Sequence, residues 1–168
     1  MTQTVDRPAG PRAGVDEVLG VHCKKGHFND PRVYYCGVCG MAMAQTTRRP
    51  VLAARPQLGV LVVDDGTMLP VLGNLVFGRA PDAAEEVAQG RATAVPLSDP
   101  TLSRVHVKVV LKGWDVMVED AGSSNGTFVN TPGEGWRRLR RGSAVPLRPG
   151  AEVAVGHRRF CFYSNRNP

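Results

Sequence analysis

From residue 58 onward, apolar and polar positions alternate in short runs. GVLVVDD (59–65), then Gly66-Thr67, then MLPVL (68–72) has the pattern of a hairpin, and LVFGR (75–79) reads as a further strand. VHVKVVLK (105–112) and WDVMVED (114–120) alternate on either side of Gly113. GTFVN (126–130), WRRLR (136–140), AVPL (144–147), EVAVG (152–156) and RRFCFY (158–163) continue the series. About ten short strands separated by Gly, Pro and Asn turns predict an all-β, antiparallel sandwich. The one helical candidate is 82–89, with Asp82 as cap, Glu85 at capping-box spacing and Gly90 as terminator. At about two turns it is marginal alone and is expected to decorate a loop.

The N-terminal third lacks this alternation. Residues 1–20 are polar, with Pro8 and Pro11, and read as a disordered leader. Residues 21–44 hold three cysteines, and 45–57 (QTTRRPVLAARPQ) read as a linker. The sandwich then occupies 58–165. The 168 residues suit one ordinary domain plus a small satellite. Nineteen glycines and thirteen prolines favour turns over long helices. No apolar run approaches the roughly 18–20 residues of a membrane span, and the first residues lack the apolar core of a secretory signal. A cytoplasmic location is the expectation. The net charge of +6 divides evenly, +3 in residues 1–50 and +3 in 51–168, so neither part is a polycationic tail. Charge alone gives nucleic-acid binding little support.

The cysteine spacing is Cys23-x3-His27-x8-Cys36-x2-Cys39. Three thiolates and an imidazole are ligands zinc prefers, and four of them close a tetrahedron without leaving a catalytic position. About 24 residues bury too little apolar surface to fold unaided, so a structural Zn2+ would supply the folding energy. His22, beside Cys23, competes with His27 as fourth ligand. A disulfide leaves one of three clustered cysteines unpaired, and a redox Cys-x-x-Cys lacks its βαβ context. Cys161, in an alternating strand, reads as a core residue. CKKGHFNDPRVYYCGVCG resembles a short zinc ribbon, a class that docks proteins or contacts nucleic acid.

Polar residues of the β-rich part gather at turns: Gly78-Arg79, Ser103-Arg104-Val105-His106, and residues 120–130 (DAGSSNGTFVN). Guanidinium forks, hydroxyls and a carboxamide are what a phosphate dianion requires. These blocks, in this order, resemble the forkhead-associated (FHA) family over residues 58–163, with LRPGAEVAVG (147–156) matching its penultimate turn and strand. The resemblance implies an eleven-stranded β-sandwich that binds phosphothreonine peptides. It implies that Arg79 and Ser103 contact the phosphate, that Arg104 adds charge or meets the peptide backbone, and that Ser124 and Asn125 hold the peptide main chain. Gly78, His106 and Gly126 would be structural supports. Residues 80–94 are longer than the matching loop of compact members.

Gly122-Ser123-Ser124-Asn125-Gly126 matches G-x-S-x-G formally, but the strand-like TFVN follows where a nucleophile elbow needs a helix. No enzyme is expected. The expected protein is a non-catalytic adaptor: a threonine-phosphorylated protein bound by the sandwich, a second protein partner bound by the ribbon. The phosphorylated segment could be its own, through Thr2, Thr4, Thr46 or Thr47. The competing readings are a structural component of an assembly, or nucleic-acid binding through the ribbon and the Arg137–Arg141 patch, a run otherwise read as a solvated face.

Overall fold

The computed structural model describes residues 16–45 and 49–166. The four threonines named above and residues 1–15 of the expected leader lie outside the described residues. The strands are β1 (Glu17–His22), β2 (Phe28–Asn29), β3 (Val51–Ala54), β4 (Gly59–Val63), β5 (Met68–Pro70), β6 (Asn74–Gly78) and β7 (Ala92–Pro96), followed by β8 (Val107–Lys112), β9 (Asp115–Asp120), β10 (Thr127–Thr131), β11 (Gly135–Arg138), β12 (Ala144–Pro146), β13 (Glu152–Val155) and β14 (Arg158–Ser164).

Eleven of them form the sandwich. One sheet runs β11-β10-β13-β14-β4-β5, the other β12-β9-β8-β6-β7. Alternation along each strand sends one set of side chains between the sheets. Leu61, Val107, Val109, Val118, Val129, Val153 and Val155 are all fully buried there. Phe77 from one sheet stacks on Phe160 from the other, with centroids 4.6 Å apart.

One pair departs from the antiparallel expectation. β6 and β7 run parallel, with Asn74 opposite Ala92 and Gly78 opposite Pro96. Parallel neighbours need a crossover of about a dozen residues, and residues 79–91 provide it. The expected 82–89 helix is therefore split and has a different role. A 3-10 turn (Pro81–Ala83) precedes one turn of helix, α1 (Glu85–Ala88), which starts at Ala84 with no side-chain cap from Asp82. Gly90 ends it at φ +70°. A Glu86–Lys108 ion pair ties this crossover to β8. Pro96 suits β7 because β7 is a sheet edge.

The N-terminal part is not a separate bead on a linker. Residues 17–20, expected in the leader, belong to β1. Residues 51–54, expected in the linker, are β3 and pair with it: Glu17 faces Ala54 and Gly20 faces Val51. With β2 on the other side of β1, the knuckle has its own three-stranded sheet. That sheet rests on the β8–β9 turn. The Trp114 indole N–H donates to the Leu19 carbonyl (2.8 Å), its ring lies 5.2 Å from that of Phe28, and Arg32 grips the Asp115 carboxylate with both Nη atoms (2.9 and 3.2 Å). From beyond β14, Arg166 lies over the Trp114 ring (4.7 Å) and donates to the Phe28 carbonyl (3.0 Å).

Candidate functional site

Three loops converge at the opposite end of β8 and β9. The first leaves β6 at Gly78. A Cβ there would lie 2.9 Å from the Ser103 carbonyl oxygen and closer still to that of Arg104. Glycine is required by this close backbone approach, not by a left-handed φ. The approach lets Arg79 N–H donate to Ser103 O and Ala80 N–H to Arg104 O, both at 3.0 Å. The Arg79 side chain then turns back, and its Nε donates to Leu102 O (2.8 Å), which aims the rest of the guanidinium outward.

The second loop, residues 97–106, receives bonds from both others. Ser124 N–H donates to Ser103 Oγ (3.0 Å), and Asn125 Nδ2 donates to Thr101 O (2.7 Å). Thr101, Leu102 and Ser103 thus take bonds from Asn125, Arg79 and Ser124 respectively. His106 is fully buried beneath them. Its Nδ1 accepts from Ser103 N–H (3.1 Å), and its Nε2 donates to Gly126 O (3.0 Å). It therefore braces the second loop against the third and has no surface to offer a ligand.

The third loop, residues 121–126, is wound round Asp120. Oδ1 accepts from the N–H groups of Gly122 and Ser123 (both 2.9 Å), and Oδ2 from Ser123 Oγ (2.5 Å) and Thr127 Oγ1 (2.7 Å). Burial pushes this carboxyl up, but the four donors outweigh it and its pKa is lowered. Gly126, at φ +87°, takes a conformation that favours glycine. The strand after the loop, β10, replaces the helix a nucleophile elbow needs.

Arg79, Ser103, Arg104, Ser124 and Asn125 all stand on these loops, and Arg79 and Arg104 share the wall of a hollow of about 720 Å³ with Leu97, Ser98 and Asp99. Sequence reasoning missed Asp99. Its Oδ1 accepts from Thr101 N–H (2.8 Å) and Oγ1 (2.7 Å), and its Oδ2 from His157 N–H (2.7 Å). Hydrogen bonds from Thr101, then from His157, hold its pKa far below the usual carboxylate range. The signal was present: Asp99-Pro100-Thr101 is an Asx-turn tripeptide.

This arrangement matches a known family. Residues 75–156 match the family model described as the FHA domain. The chain carries an FHA domain. Among solved structures, the FHA domain of the CT664 protein from Chlamydia trachomatis is 26% identical, with a TM-score of 0.50. The match covers 64% of this chain and 97% of that one. EmbR of Mycobacterium tuberculosis, solved in complex with a low affinity phosphopeptide, is 23% identical with a TM-score of 0.52. There the match covers 68% of this chain and 26% of the EmbR chain. The FHA domain of an Arabidopsis thaliana hypothetical protein is 18% identical with a TM-score of 0.51, over 69% and 96% of the two chains. The last two likenesses speak for the fold. Comparison with curated proteins finds no match.

At the far pole of the FHA domain, ligand atoms of Cys23, His27, Cys36 and Cys39 all lie within 4.8 Å of one another. Cys23 Sγ is 3.4 Å from His27 Nδ1 and 3.9 Å from Cys39 Sγ, and Cys36 Sγ is 3.7 Å from His27 Nδ1. His22 does not compete; its exposed ring lies 5.2 Å from that of Phe28. Asn29, fully buried, locks the knuckle. Its Nδ2 donates to Cys36 Sγ (3.4 Å) and to His27 O (2.7 Å), and its Oδ1 accepts from Gly37 N–H (2.9 Å). Burial raises the Cys36 pKa, but the N–H groups of Cys39 and Val38 and the Asn29 amide pull it down to about 6. All four cysteines are free thiols, and Cys161, half-buried in β14, takes no part in the cluster.

Proposed function

We propose that this protein is a non-catalytic adaptor whose FHA domain takes up a threonine-phosphorylated protein. The observation that carries the reading is the meeting of Arg79, Ser124 and Asn125 on three consecutive residues, 101–103. Arg79 is held through Nε, so its terminal amino groups face out as a preset fork for a dianion. Ser103 and Arg104 add a hydroxyl and a second cation beside it. The Asn125 carboxamide keeps its oxygen for a peptide N–H, next to Ser124. EmbR, which shares the fold, is solved with a phosphopeptide bound.

The knuckle supports a second, structural role. Zinc, with bonds of about 2.3 Å to sulfur and about 2.0 Å to nitrogen, sets tetrahedral edges of about 3.8 Å between sulfurs and about 3.5 Å between sulfur and nitrogen. The observed separations of 3.9 Å, and of 3.4 and 3.7 Å, fit those edges. Cys23, His27, Cys36 and Cys39 would hold the ion, and the ion would fix the knuckle as a platform for a second protein. Free thiols in such a site need a reducing compartment, which accords with the cytoplasm.

The test is a phosphothreonine peptide library read by fluorescence anisotropy, with phosphoserine and unphosphorylated copies. Arg79→Ala should weaken the best peptide by a factor of roughly a hundred, the effect of removing one charged partner of a bound ion. A library that binds equally well with or without phosphate defeats the reading. Elemental analysis should return one zinc per chain.

A further inference from the structure

Arg32, Arg55, Arg148, Arg158 and Arg159 each sit within ion-pair distance of a carboxylate. The other nine arginines among the described residues are in no such pair, and four of these, Arg79, Arg104, Arg138 and Arg141, belong to the loop end of the FHA domain. Arg79 and Arg104 flank the 97–106 loop. Arg138 and Arg141 flank the 121–126 loop from the other side. A Cβ on Gly126 would lie 2.5 Å from Arg138 Nε, and one on Gly122 would lie 3.7 Å from Arg141 Cδ. Gly126 thus leaves room that the Arg138 guanidinium fills, while the Arg141 side chain packs beside Gly122. Arg141 Nη2 also donates to Ser123 O (3.2 Å), and Arg138 lies 5.9 Å over the Phe128 ring.

The two carboxylates built into these loops form no ion pair with any of the four. Asp99 and Asp120 are only 5% and 3% exposed, and hydrogen-bond donors already occupy their oxygens. β11 delivers the cations here because it pairs antiparallel with β10: Phe128 faces Arg138, and Leu139 N–H donates to Thr127 O (2.9 Å). The 136–140 run is therefore not merely a solvated face; its end borders the loop that carries Ser124 and Asn125.

We infer that Arg138 and Arg141 form an acidic-flank subsite, so that the FHA domain selects phosphothreonine peptides with Asp or Glu side chains beside the phosphothreonine. The inference rests on the phosphopeptide reading above. A peptide main chain held at Asn125 must pass these guanidinia, and a basic or neutral flank leaves them unpaired. The subsite confers selectivity without touching the phosphate.

The experiment compares two phosphothreonine peptides of equal length, one flanked by Asp and Glu and one by Ala and Ser. Wild-type protein should prefer the acidic peptide by a factor of about five to ten, the size of a partly shielded ion pair, and the preference should shrink at high salt. Arg138→Gln keeps a polar, though shorter, side chain and removes the charge; it should bring the ratio of the two affinities close to one, while Arg138→Lys restores most of it. A parallel thermal melt verifies that each variant is folded. Wild-type binding both peptides equally, with that binding lost in Arg79→Ala, overturns the subsite and leaves the phosphopeptide reading intact. No binding of either peptide overturns both. If Arg138→Gln and Arg141→Gln weaken binding of a fluorescent single-stranded RNA but leave the peptide ratio unchanged, the flank serves nucleic acid and the proposal falls.

Discussion

Replacing His106 by alanine separates a brace from a ligand contact. The imidazole is fully buried and makes two hydrogen bonds, to Ser103 N–H and Gly126 O. Removal strands one backbone donor and one backbone acceptor, each costing about 1–3 kcal/mol when water cannot reach it. The vacated ring adds a cavity cost of at least about 1 kcal/mol after partial collapse. The loss is expected at about 3–7 kcal/mol, a large share of the total stability of an ordinary domain. For a domain of this size that lowers Tm by roughly 13–30 °C. Urea unfolding followed by tryptophan fluorescence measures it, with the slope against denaturant checked for constancy. Phosphopeptide affinity, measured well below the lowered Tm, should fall as well, because the 101–103 and 124–126 loops lose their common anchor. A destabilisation under about 1 kcal/mol, the value of a single ordinary hydrogen bond, accompanied by lost peptide binding would refute the brace and make His106 a direct contact.

Gly78→Ala should cost at least about 3 kcal/mol, since the new Cβ meets two backbone carbonyls and strain of this kind is among the largest single-site effects; thermal melting checks this. Cys36→Ser, or chelation of a bound metal, should loosen the knuckle and shift Trp114 fluorescence while the far-ultraviolet β signal of the sandwich persists. Asp99 has a folded pKa below its unfolded one, so its stabilisation is complete above about pH 4, the unfolded carboxylate value, and fades as pH falls toward the folded pKa. Asp99→Asn should therefore flatten the loss of stability between about pH 4 and pH 2, and equilibrium urea unfolding at stepped pH reads that slope.

Much of the sandwich was legible because its strands are half-buried and alternate, as in 105–112 and 114–120. β7 was not. ATAVP has one large apolar residue and ends on proline, and only its parallel partner β6 makes it a strand. β1 and β3 were missed for a different reason. Leu19 and Leu52 face each other in register yet are both more than half exposed, so their alternation does not mark a core. The knuckle's ligands were readable because zinc-type spacing is local in sequence. Arg138 and Arg141 were not assigned to the loop end, because β-pairing brings them there from a dozen or more residues away. The split of 82–89 into a 3-10 turn and α1 followed from crossover geometry that no capping motif encodes.

The knuckle and the binding loops sit at opposite ends of the same two strands. β8 and β9 have six residues each, so at about 3.3 Å per residue they act as a strut of roughly 20 Å between the poles. The knuckle is clamped to its pole by Trp114, Arg32 and Arg166, so the strut has little give. On the adaptor reading proposed above, two cargoes would be carried back to back at a set spacing, a geometry that a flexible chain between the two parts would not impose.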